Sequence, residues 1–294
     1  MYKEIQAKTA LHKLNSDYLP FNWDLNIYRG CGHRCQYCFA LYSHKYLEST
    51  DYFGDIHVKT NIAQVLEQKI CKKSWKKDII NLGGVTDSYQ PAETQYRLMP
   101  DIWKLLIKYR TPAIISTKSA LIMRDIDLIA ELSQITPVSI AATIITTDEN
   151  LQKLVEPGAS SINDRFEMLK KMKEKTNVSI GIHMMPILPI LTDSMENLEE
   201  IFKKAKSISV DYIITSSLNL YTETRKNYFG FLSRQFPDIL PAYQDIFSKK
   251  QNFSVYKKEL YEKLKKLRNK YQIPSHSKIF DRKFERETHQ LSLF

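Results

Sequence analysis

Short apolar runs alternate with amphipathic stretches over most of this chain. Near-continuous apolar runs rich in β-branched residues predict strands that helices cover on a parallel sheet. Six such runs span residues 25–28, 78–82, 113–117, 138–144, 178–184 and 211–215. Stretches with helical spacing of apolar residues span 61–70, 93–110, 124–134, 160–175 and 194–208. This alternation predicts a parallel α/β architecture, open or barrel-like, with a site on the loops that follow the strands.

The alternation ends near residue 220, and a different pattern follows. Apolar residues then recur every three or four positions, at Tyr256, Leu260, Leu264, Leu267 and Tyr271. This stripe predicts one helix that packs on the body and leaves its lysines outward. We therefore expect three segments, which are a core over residues 1–220, a helical basic extension over 221–286 and a tail over 287–294.

Composition and charge narrow the class of protein. The 294 residues are 43% hydrophobic and 26% charged, as in globular proteins. No apolar run reaches 18 residues and the N-terminus lacks the apolar core of a signal peptide, so we expect a soluble cytoplasmic protein without a membrane partner. The net charge of +10 is uneven, because residues 249–286 hold 13 Lys/Arg against 4 Asp/Glu. This stretch predicts either a solvated helix face or a surface for nucleic acid.

Three of the four cysteines follow the first predicted strand within eight residues, at Cys31, Cys35 and Cys38. Because a disulfide scaffold is not expected at this chain length, the group indicates metal binding. Three thiolates on a loop suit an iron–sulfur cubane that leaves one iron open, since each iron needs one soft ligand. The alternative is zinc with His33 or His44 as fourth ligand. The remaining cysteine, Cys71, is predicted to be an ordinary half-buried residue.

The stretch YRGCGHRCQYCFA, with Tyr37 before its last cysteine, resembles the radical S-adenosylmethionine (SAM) superfamily. Five further blocks resemble, in order, its spore-photoproduct-lyase-like group, often called DNA repair photolyases: LGGVTDSYQPAE, ISTKSALIMRD, TIITTD, EPGASSINDR and MPILPILTD. The resemblance covers roughly residues 5–215. It implies a partial (β/α)6 TIM-like barrel that holds a 4Fe-4S cluster and SAM. In that superfamily, reductive cleavage of SAM on the open iron gives a 5′-deoxyadenosyl radical that abstracts a substrate hydrogen.

The resemblance also implies roles for single residues. The cluster ligands would be the three grouped cysteines. The residues expected to contact SAM or shape its pocket are Tyr37, Gly83, Gly84, Lys118, Thr143, Glu156 and Arg165. The backbone of Gly83 and Gly84 would approach the methionine amino group. Lys118 would pair with the methionine carboxylate and Thr143 would hydrogen-bond the ribose. Glu156 and Arg165 would form an ion pair.

The chain departs from spore photoproduct lyase at two positions. Where the lyase has a hydrogen-donor cysteine after its second strand, this chain has Val85 or a neighbour. Where the lyase has a relay tyrosine after the third cluster cysteine, this chain has Phe39. We therefore expect a different lesion or modified nucleotide as substrate, or Tyr89 as a replacement donor. Asp87, in the same loop as Tyr89, is the second candidate catalytic residue.

The last five residues, QLSLF, resemble the peptide by which bacterial replication and repair proteins bind the β sliding clamp. Leu291, Leu293 and Phe294 would fill apolar subsites, and the Gln290 amide would hydrogen-bond at the rim. The alternative is a tail that folds back over the barrel.

The leading functional prediction is a radical SAM enzyme that acts on nucleic acid through the basic 249–286 stretch. As the resemblance implies, an electron donor such as flavodoxin or ferredoxin would reduce the iron–sulfur cluster of this enzyme. A radical SAM enzyme that modifies RNA, a peptide or a small molecule is the first alternative. A non-catalytic iron–sulfur or zinc module for recruitment is the second.

Overall fold

The computed structural model of the protein describes residues 1–15, 19–46 and 51–279. The end of the basic stretch and the tail lie outside these residues, including Gln290, Leu291, Leu293 and Phe294. Clamp binding by the tail therefore stays a prediction. Within the described part of the chain, no helix is both long and apolar enough to cross a membrane.

Six parallel strands and one antiparallel edge strand form the central sheet, which confirms the predicted architecture. The strands in chain order are β1 (Tyr2–Ile5), β2 (Leu11–Lys13), β3 (Trp23–Leu25), β4 (Tyr28–Arg29), β5 (Ile56–Lys59), β6 (Ile80–Leu82), β7 (Ala113–Thr117), β8 (Val138–Thr143), β9 (Ser179–Ile187) and β10 (Tyr212–Ser217). The central sheet has the order β10-β9-β8-β7-β6-β3-β2, and only β2 is antiparallel to its neighbour. Its two edges are β10 and β2, so the sheet is an open, partial barrel.

The first predicted strand, residues 25–28, divides between two sheets. β3 ends at Leu25 in the central sheet, whereas β4 pairs antiparallel with β5 in a small sheet that β1 completes. The chain therefore leaves the central sheet before the cysteines. The cysteine loop begins from the small sheet instead.

Helices follow the strands in the predicted order. They are α1 (Ile62–Ile70), α2 (Ala92–Tyr96), α3 (Met99–Lys108), α4 (Ile126–Ile135), α5 (Glu149–Val155), α6 (Ile162–Lys175), α7 (Met195–Ser207), α8 (Thr222–Gln235), α9 (Leu240–Ile246) and α10 (Lys250–Tyr271). Three 3-10 helices span Phe39–Tyr46, Ala120–Asp125 and Pro237–Ile239. The pattern did not predict α5, which Asp148 caps with its carboxylate.

The predicted helix over residues 93–110 is wrong in one respect, because the structure breaks it into α2 and α3. Arg97 ends α2 in the left-handed conformation, with φ of 49°. The buried Glu93 carboxylate then accepts hydrogen bonds from the backbone N–H groups of Leu98 and Met99 at 3.1 and 3.0 Å. A side chain from one helix thus satisfies the free N–H groups of the next.

The two faces of the central sheet have opposite character. Alternate strand residues such as Ile115, Ile140 and Ile182 lie in the main apolar core with the helices. The residues between them point to the other face, here called the inner face. Its members are Asn81, Ile114, Ser116, Ser139, Ala141, Thr143, Ser179, Gly181, His183, Tyr212 and Ile214. Most are small or polar, whereas bulky branched residues usually fill a TIM barrel. The Tyr212 ring covers Gly181 on this face, because a Cβ there would lie 2.1 Å from it, whereas Ser116 and Thr143 give the ends of β7 and β8 a polar character.

The predicted apolar stripe lies on α10 and packs against α7. Leu260, Leu264 and Leu267 are buried in the main core, and Lys258, Lys265 and Lys266 are among the exposed residues of the helix. The helical extension thus shares its core with the sheet. The boundaries of the three predicted segments stay predictions.

Replacing Leu264 with Ala should lower the free energy of unfolding by about 2–5 kcal/mol, because it opens a cavity in the core. Lys265→Ala, on the exposed side of the same helix, should change it by less than about 0.5 kcal/mol. Urea unfolding followed by circular dichroism measures both. A Leu264→Ala midpoint equal to that of the wild type would contradict the packing of α10.

Candidate cofactor-binding site

The three grouped cysteines lie on the loop between β4 and the first 3-10 helix. Cys31 and Cys35 are buried and Cys38 is half-buried, and none of them forms a disulfide. Burial raises the pKa of each thiol, to about 12 for Cys31. Metal binding at these thiols would therefore displace protons.

The three cysteines offer a soft donor set on one loop. Among residues 1–15, 19–46 and 51–279, no three His, Cys, Asp or Glu side chains are grouped closely enough to hold one metal ion. A 4Fe-4S cluster takes each thiolate at a different iron. The soft donor set and the loop position fit the cluster that the sequence predicts.

The histidines proposed as a fourth zinc ligand have other neighbours. His33 Nδ1 lies 2.8 Å from the Gly158 carbonyl oxygen, and His33 Nε2 lies 3.1 Å from Asp87 Oδ2. The His44 ring lies beside the rings of Tyr52 and His57. The fourth cysteine of the chain is exposed at the end of α1, where the sequence predicted a half-buried residue.

The loop after β6 holds the cysteine loop through backbone groups. The buried Gln90 amide accepts a hydrogen bond from the Gly32 N–H at 2.8 Å and donates to the Gly30 carbonyl oxygen at 3.1 Å. Thr86 Oγ1 donates to the same carbonyl oxygen at 2.6 Å. Gly30 has φ of +79°, and a Cβ there would lie 2.8 Å from the Tyr52 carbonyl oxygen. These hydrogen bonds and the close backbone contact at Gly30 therefore fix the position of the start of the cysteine loop.

The Asp87 carboxylate is the most heavily bonded group beside this loop. It accepts hydrogen bonds from the N–H groups of Tyr89 and Lys118 at 2.8 and 2.9 Å and from Thr117 Oγ1 at 2.8 Å. His33 Nε2 adds an electrostatic contact that is not a well-aligned hydrogen bond. Burial alone would raise the pKa of Asp87, but His33 and the donors hold it well below its usual value. These contacts favour a positioning role over the predicted catalytic role.

Tyr89, the other predicted catalytic residue, lies fully buried in a polar network. Its hydroxyl donates to Asp125 Oδ2 at 2.8 Å and accepts from Trp103 Nε1 at 2.6 Å. Arg124 joins Asp125 to the buried Glu93 through ion pairs at 2.8 and 2.6 Å. These contacts favour a structural role for Tyr89 over the predicted role of hydrogen donor.

Glu156 and Arg165 form the predicted ion pair, with 2.6 Å between Glu156 Oε2 and an Arg165 guanidinium nitrogen. Both side chains are buried. The Tyr37 hydroxyl donates to the other carboxylate oxygen, and Arg165 also donates to the Thr143 carbonyl oxygen at 2.9 Å. Burial opposes ionisation of Glu156, but Arg165 and Lys118 outweigh it and lower its pKa. The pair therefore connects the cysteine loop to the end of β8.

Lys118 follows β7 and lies on the same side as this pair. Its ammonium nitrogen lies 5.8 Å from the centre of the Tyr37 ring. Burial alone would lower the pKa of Lys118, but the neighbouring Cys35 and Glu156 outweigh it and raise the pKa. The structure thus brings a half-buried cation next to a cysteine of the loop.

Thr143 ends β8 on the inner face, opposite His183 of β9. Its hydroxyl lies 3.4 Å from the Ser116 hydroxyl, and its side chain is buried. His183 is 7% exposed, and its Nδ1 is buried without a hydrogen-bond partner. Burial and the charge of Lys118 lower the pKa of His183 to about 4, so the ring is neutral at pH 7.

The two glycines after β6 are required by the turn itself. Gly83 has φ of +99°, which favours glycine. A Cβ on Gly84 would lie 2.1 Å from Asp24 Oδ2. Asp24 in turn accepts hydrogen bonds from Asn26 and Asn81 at 2.7 and 2.8 Å. Close packing within the protein therefore requires both glycines, and their approach to SAM stays a prediction.

The helical extension also holds the cysteine loop, which the sequence did not predict. Thr224 Oγ1 of α8 donates to the Cys38 carbonyl oxygen at 2.9 Å, and Asn227 Nδ2 donates to the Gln36 carbonyl oxygen at 2.6 Å. Tyr228 belongs to the same apolar cluster as Cys35. Thr224 and Asn227 stand three positions apart in α8, and this spacing was the only signal in the sequence; it does not identify a partner.

Comparisons with known proteins agree with this geometry. The family model described as the Radical SAM superfamily matches residues 25–205. An uncharacterized protein of Mycobacterium tuberculosis is 34% identical over 279 residues, which cover 92% of this chain and 81% of the relative. An uncharacterized protein of Methanocaldococcus jannaschii is 30% identical over 272 residues, which cover 90% of this chain and 94% of the relative.

Solved structures share the fold. A spore photoproduct lyase mutant with bound AdoMet and dinucleoside spore photoproduct has a TM-score of 0.60 at 13% identity. The match covers 81% of this chain and 66% of that chain. A second mutant of the lyase has a TM-score of 0.67 at 12% identity, over 93% of this chain and 80% of the lyase chain.

Replacing Gly84 with Ala should lower the free energy of unfolding by roughly 1–3 kcal/mol, because the new methyl group meets the Asp24 carboxylate. Gly230→Ala in α8 is the control. A Cβ there would meet only an Arg234 nitrogen at 3.4 Å, so this change should stabilise by roughly 0.5–1 kcal/mol. Chemical unfolding measures both, and equal effects of the two changes would contradict the tight turn.

Replacing Glu156 with Gln should destabilise the protein by about 3–5 kcal/mol, because it leaves the buried Arg165 charge without a counter-charge. Removing both charges, in Glu156→Gln with Arg165→Met, should recover part of that loss. Lys173→Ala breaks the half-exposed pair with Asp211 and should cost less than about 1 kcal/mol. The loss of unfolding free energy in the double variant is compared with the sum of the losses in Glu156→Gln alone and Arg165→Met alone. Equality of the two would show that the charges are not coupled.

Proposed function

This chain belongs to the radical SAM superfamily, and from that premise we propose that it is a radical SAM enzyme acting on nucleic acid. Its family implies a 4Fe-4S cluster and SAM as cofactors. Cys31, Cys35 and Cys38 are the residues that would hold the cluster. When bound and reduced, the cluster would supply the one electron needed to cleave SAM to methionine and a 5′-deoxyadenosyl radical.

The residues around the cysteine loop are suited to bind and orient SAM. Lys118 supplies a half-buried cation for a carboxylate, beside the loop that would hold the cluster. Thr143 offers a hydroxyl at the end of β8 for a ribose. The buried pair of Glu156 and Arg165 fixes Tyr37 and the end of β8 through hydrogen bonds, so the walls of the pocket are preorganised.

The substrate class rests on one observation, the separation of apolar and basic faces on α10. Its leucines are buried, while Lys258, Lys265 and Lys266 remain exposed and outnumber the exposed Glu259 and Glu262 of the same helix. Lysines on one face of a helix are suited to contact phosphates without sequence preference. The lyase that shares the fold has a dinucleoside photoproduct bound, which supports nucleic acid over other substrate classes.

The reaction should differ from the thiol-dependent route expected for the lyase. Val85 lies against the cysteine loop, where it packs with Cys31. A valine cannot donate a hydrogen atom as a thiol can, and the sequence contains no thiol beyond Cys71. We therefore propose a different lesion or a modified nucleotide as the substrate.

Two partners complete the proposal. An acidic electron donor such as flavodoxin or ferredoxin would reduce the cluster. The QLSLF tail would bind the β sliding clamp and bring the enzyme to replicating or repaired DNA.

Anaerobic reconstitution with iron and sulfide tests the enzyme itself. The reduced protein should release 5′-deoxyadenosine from SAM, and damaged DNA or RNA should stimulate this release relative to no substrate. Cys35→Ala should abolish the release and the visible absorbance of the cluster, because one iron loses its ligand. Cys71→Ala should retain both, since that thiol is exposed and remote from the loop.

Salt-dependent binding tests the substrate class. Affinity for a single-stranded oligonucleotide should fall as salt rises. Replacing Lys258, Lys265 and Lys266 together with Ala should reduce the logarithmic salt slope by about 2, if each lysine contacts one phosphate. Two results together would overturn the nucleic-acid assignment. The affinity for the oligonucleotide would not change with salt concentration, and nucleic acid would not stimulate the release of 5′-deoxyadenosine.

A further inference from the structure

Three exposed aromatic side chains lie close to the last cysteine of the loop. Phe39 and Tyr42 belong to the 3-10 helix that begins directly after Cys38, and they are 59% and 44% exposed. Tyr221, the residue before α8, is 70% exposed. These three residues are called the aromatic surface below.

The contacts of α8 bring the members of the aromatic surface together. Thr224 bonds to Cys38, whereas Asn227, which comes later in α8, bonds to Gln36, which comes earlier in the loop. α8 therefore runs antiparallel to this segment of the loop. Tyr221 precedes Thr224 by three residues. The same direction therefore places the backbone of Tyr221 level with the beginning of the 3-10 helix, which Phe39 begins. The packing of α8 on this 3-10 helix agrees with that placement.

The rings of the aromatic surface have no partner in the described part of the chain. None of the three contacts another ring or a cation, whereas buried tyrosines such as Tyr228 and Tyr243 stack and hydrogen-bond with each other. Exposed apolar groups that lie together on a surface mark interaction sites. Tyrosine is common at such sites because its ring is apolar and its hydroxyl is polar.

The charges around the aromatic surface favour a phosphate-bearing partner. Residues 30–46 contain no Asp or Glu. The first turns of α8, which follow Tyr221, contribute Arg225 and Lys226 against Glu223. The combination of basic side chains with free aromatic rings is typical of surfaces that bind single-stranded nucleic acid.

We propose that the aromatic surface stacks unpaired nucleobases of the substrate, so that the enzyme acts on a single-stranded or extruded nucleotide. This inference rests on the proposed function and specifies the form of the nucleic acid. A radical formed at the cysteine loop reaches only atoms close to it, and Cys38, the half-buried cysteine of the loop, directly precedes the 3-10 helix that carries Phe39 and Tyr42. A base inside a duplex is not accessible to such a site, and stacking on an aromatic ring accepts any unpaired base.

Fluorescence anisotropy with the reconstituted full-length protein tests the inference. The probes are a fluorescein-labelled oligothymidylate and a labelled duplex of the same length. Tyr42→Ala and Tyr221→Ala should each weaken binding of the single strand by about tenfold, while Tyr42→Phe and Tyr221→Phe should bind it as the wild type does. Tyr2→Ala is the matched control, since this tyrosine of β1 is 41% exposed, and it should leave binding unchanged.

The outcomes separate this inference from the proposed function. A wild type that binds neither probe at low salt would overturn the nucleic-acid function itself. If the wild type binds the single strand and the alanine variants bind it equally well, only the stacking surface is overturned. Equal losses for the single strand and the duplex would also overturn it, because stacking requires unpaired bases.

One further outcome would assign the surface to a different partner. Cluster reduction by flavodoxin can be followed through the loss of visible absorbance. If the alanine variants slow this reduction but keep the affinity for the oligothymidylate, the surface docks the electron donor and the stacking inference is overturned. Wild-type reduction rates with weakened oligothymidylate binding would support the inference.

Discussion

A buried negative charge organises the site of this protein. The Asp87 carboxylate accepts hydrogen bonds from its own loop and from the end of β7, and it contacts His33 of the cysteine loop. A buried carboxylate is tolerated only when its oxygens are bonded and its charge is balanced. The loop after β6, the end of β7 and the cysteine loop must therefore keep one arrangement. Lys118, whose N–H is one of the donors, is placed beside Cys35 as a result.

Stability and ligand binding are divided between the two faces of the sheet. The face toward the helices carries the branched apolar residues, and its burial is the main stabilising contribution. The inner face carries hydroxyls, glycine and a neutral histidine, which add little to the core. Thr143, which is proposed to contact SAM, therefore lies on the face that contributes less to the apolar core. The site is then held by hydrogen bonds between loops rather than by packing.

Local patterns in the sequence predicted the elements but not their long-range contacts. The six strands were predictable because continuous apolar runs indicate strands buried under helices. The break at Arg97 was not, because it depends on how the Glu93 carboxylate folds back onto the next helix. Tyr89 was predicted at the mouth of the site from its position after β6, yet its hydroxyl bonds to residues of the helix layer. No spacing rule indicates that Thr224 would hold Cys38.

The contacts between α8 and the cysteine loop have a consequence for biosynthesis. The residues that donate these hydrogen bonds follow their partners by 186 and 191 positions in the chain. At roughly 5–20 residues per second, a ribosome needs about 10–40 s to make that length. Throughout this interval the three cysteines lack their last structural support. Stable insertion of a cluster is therefore expected after translation, when the chain has folded around the loop.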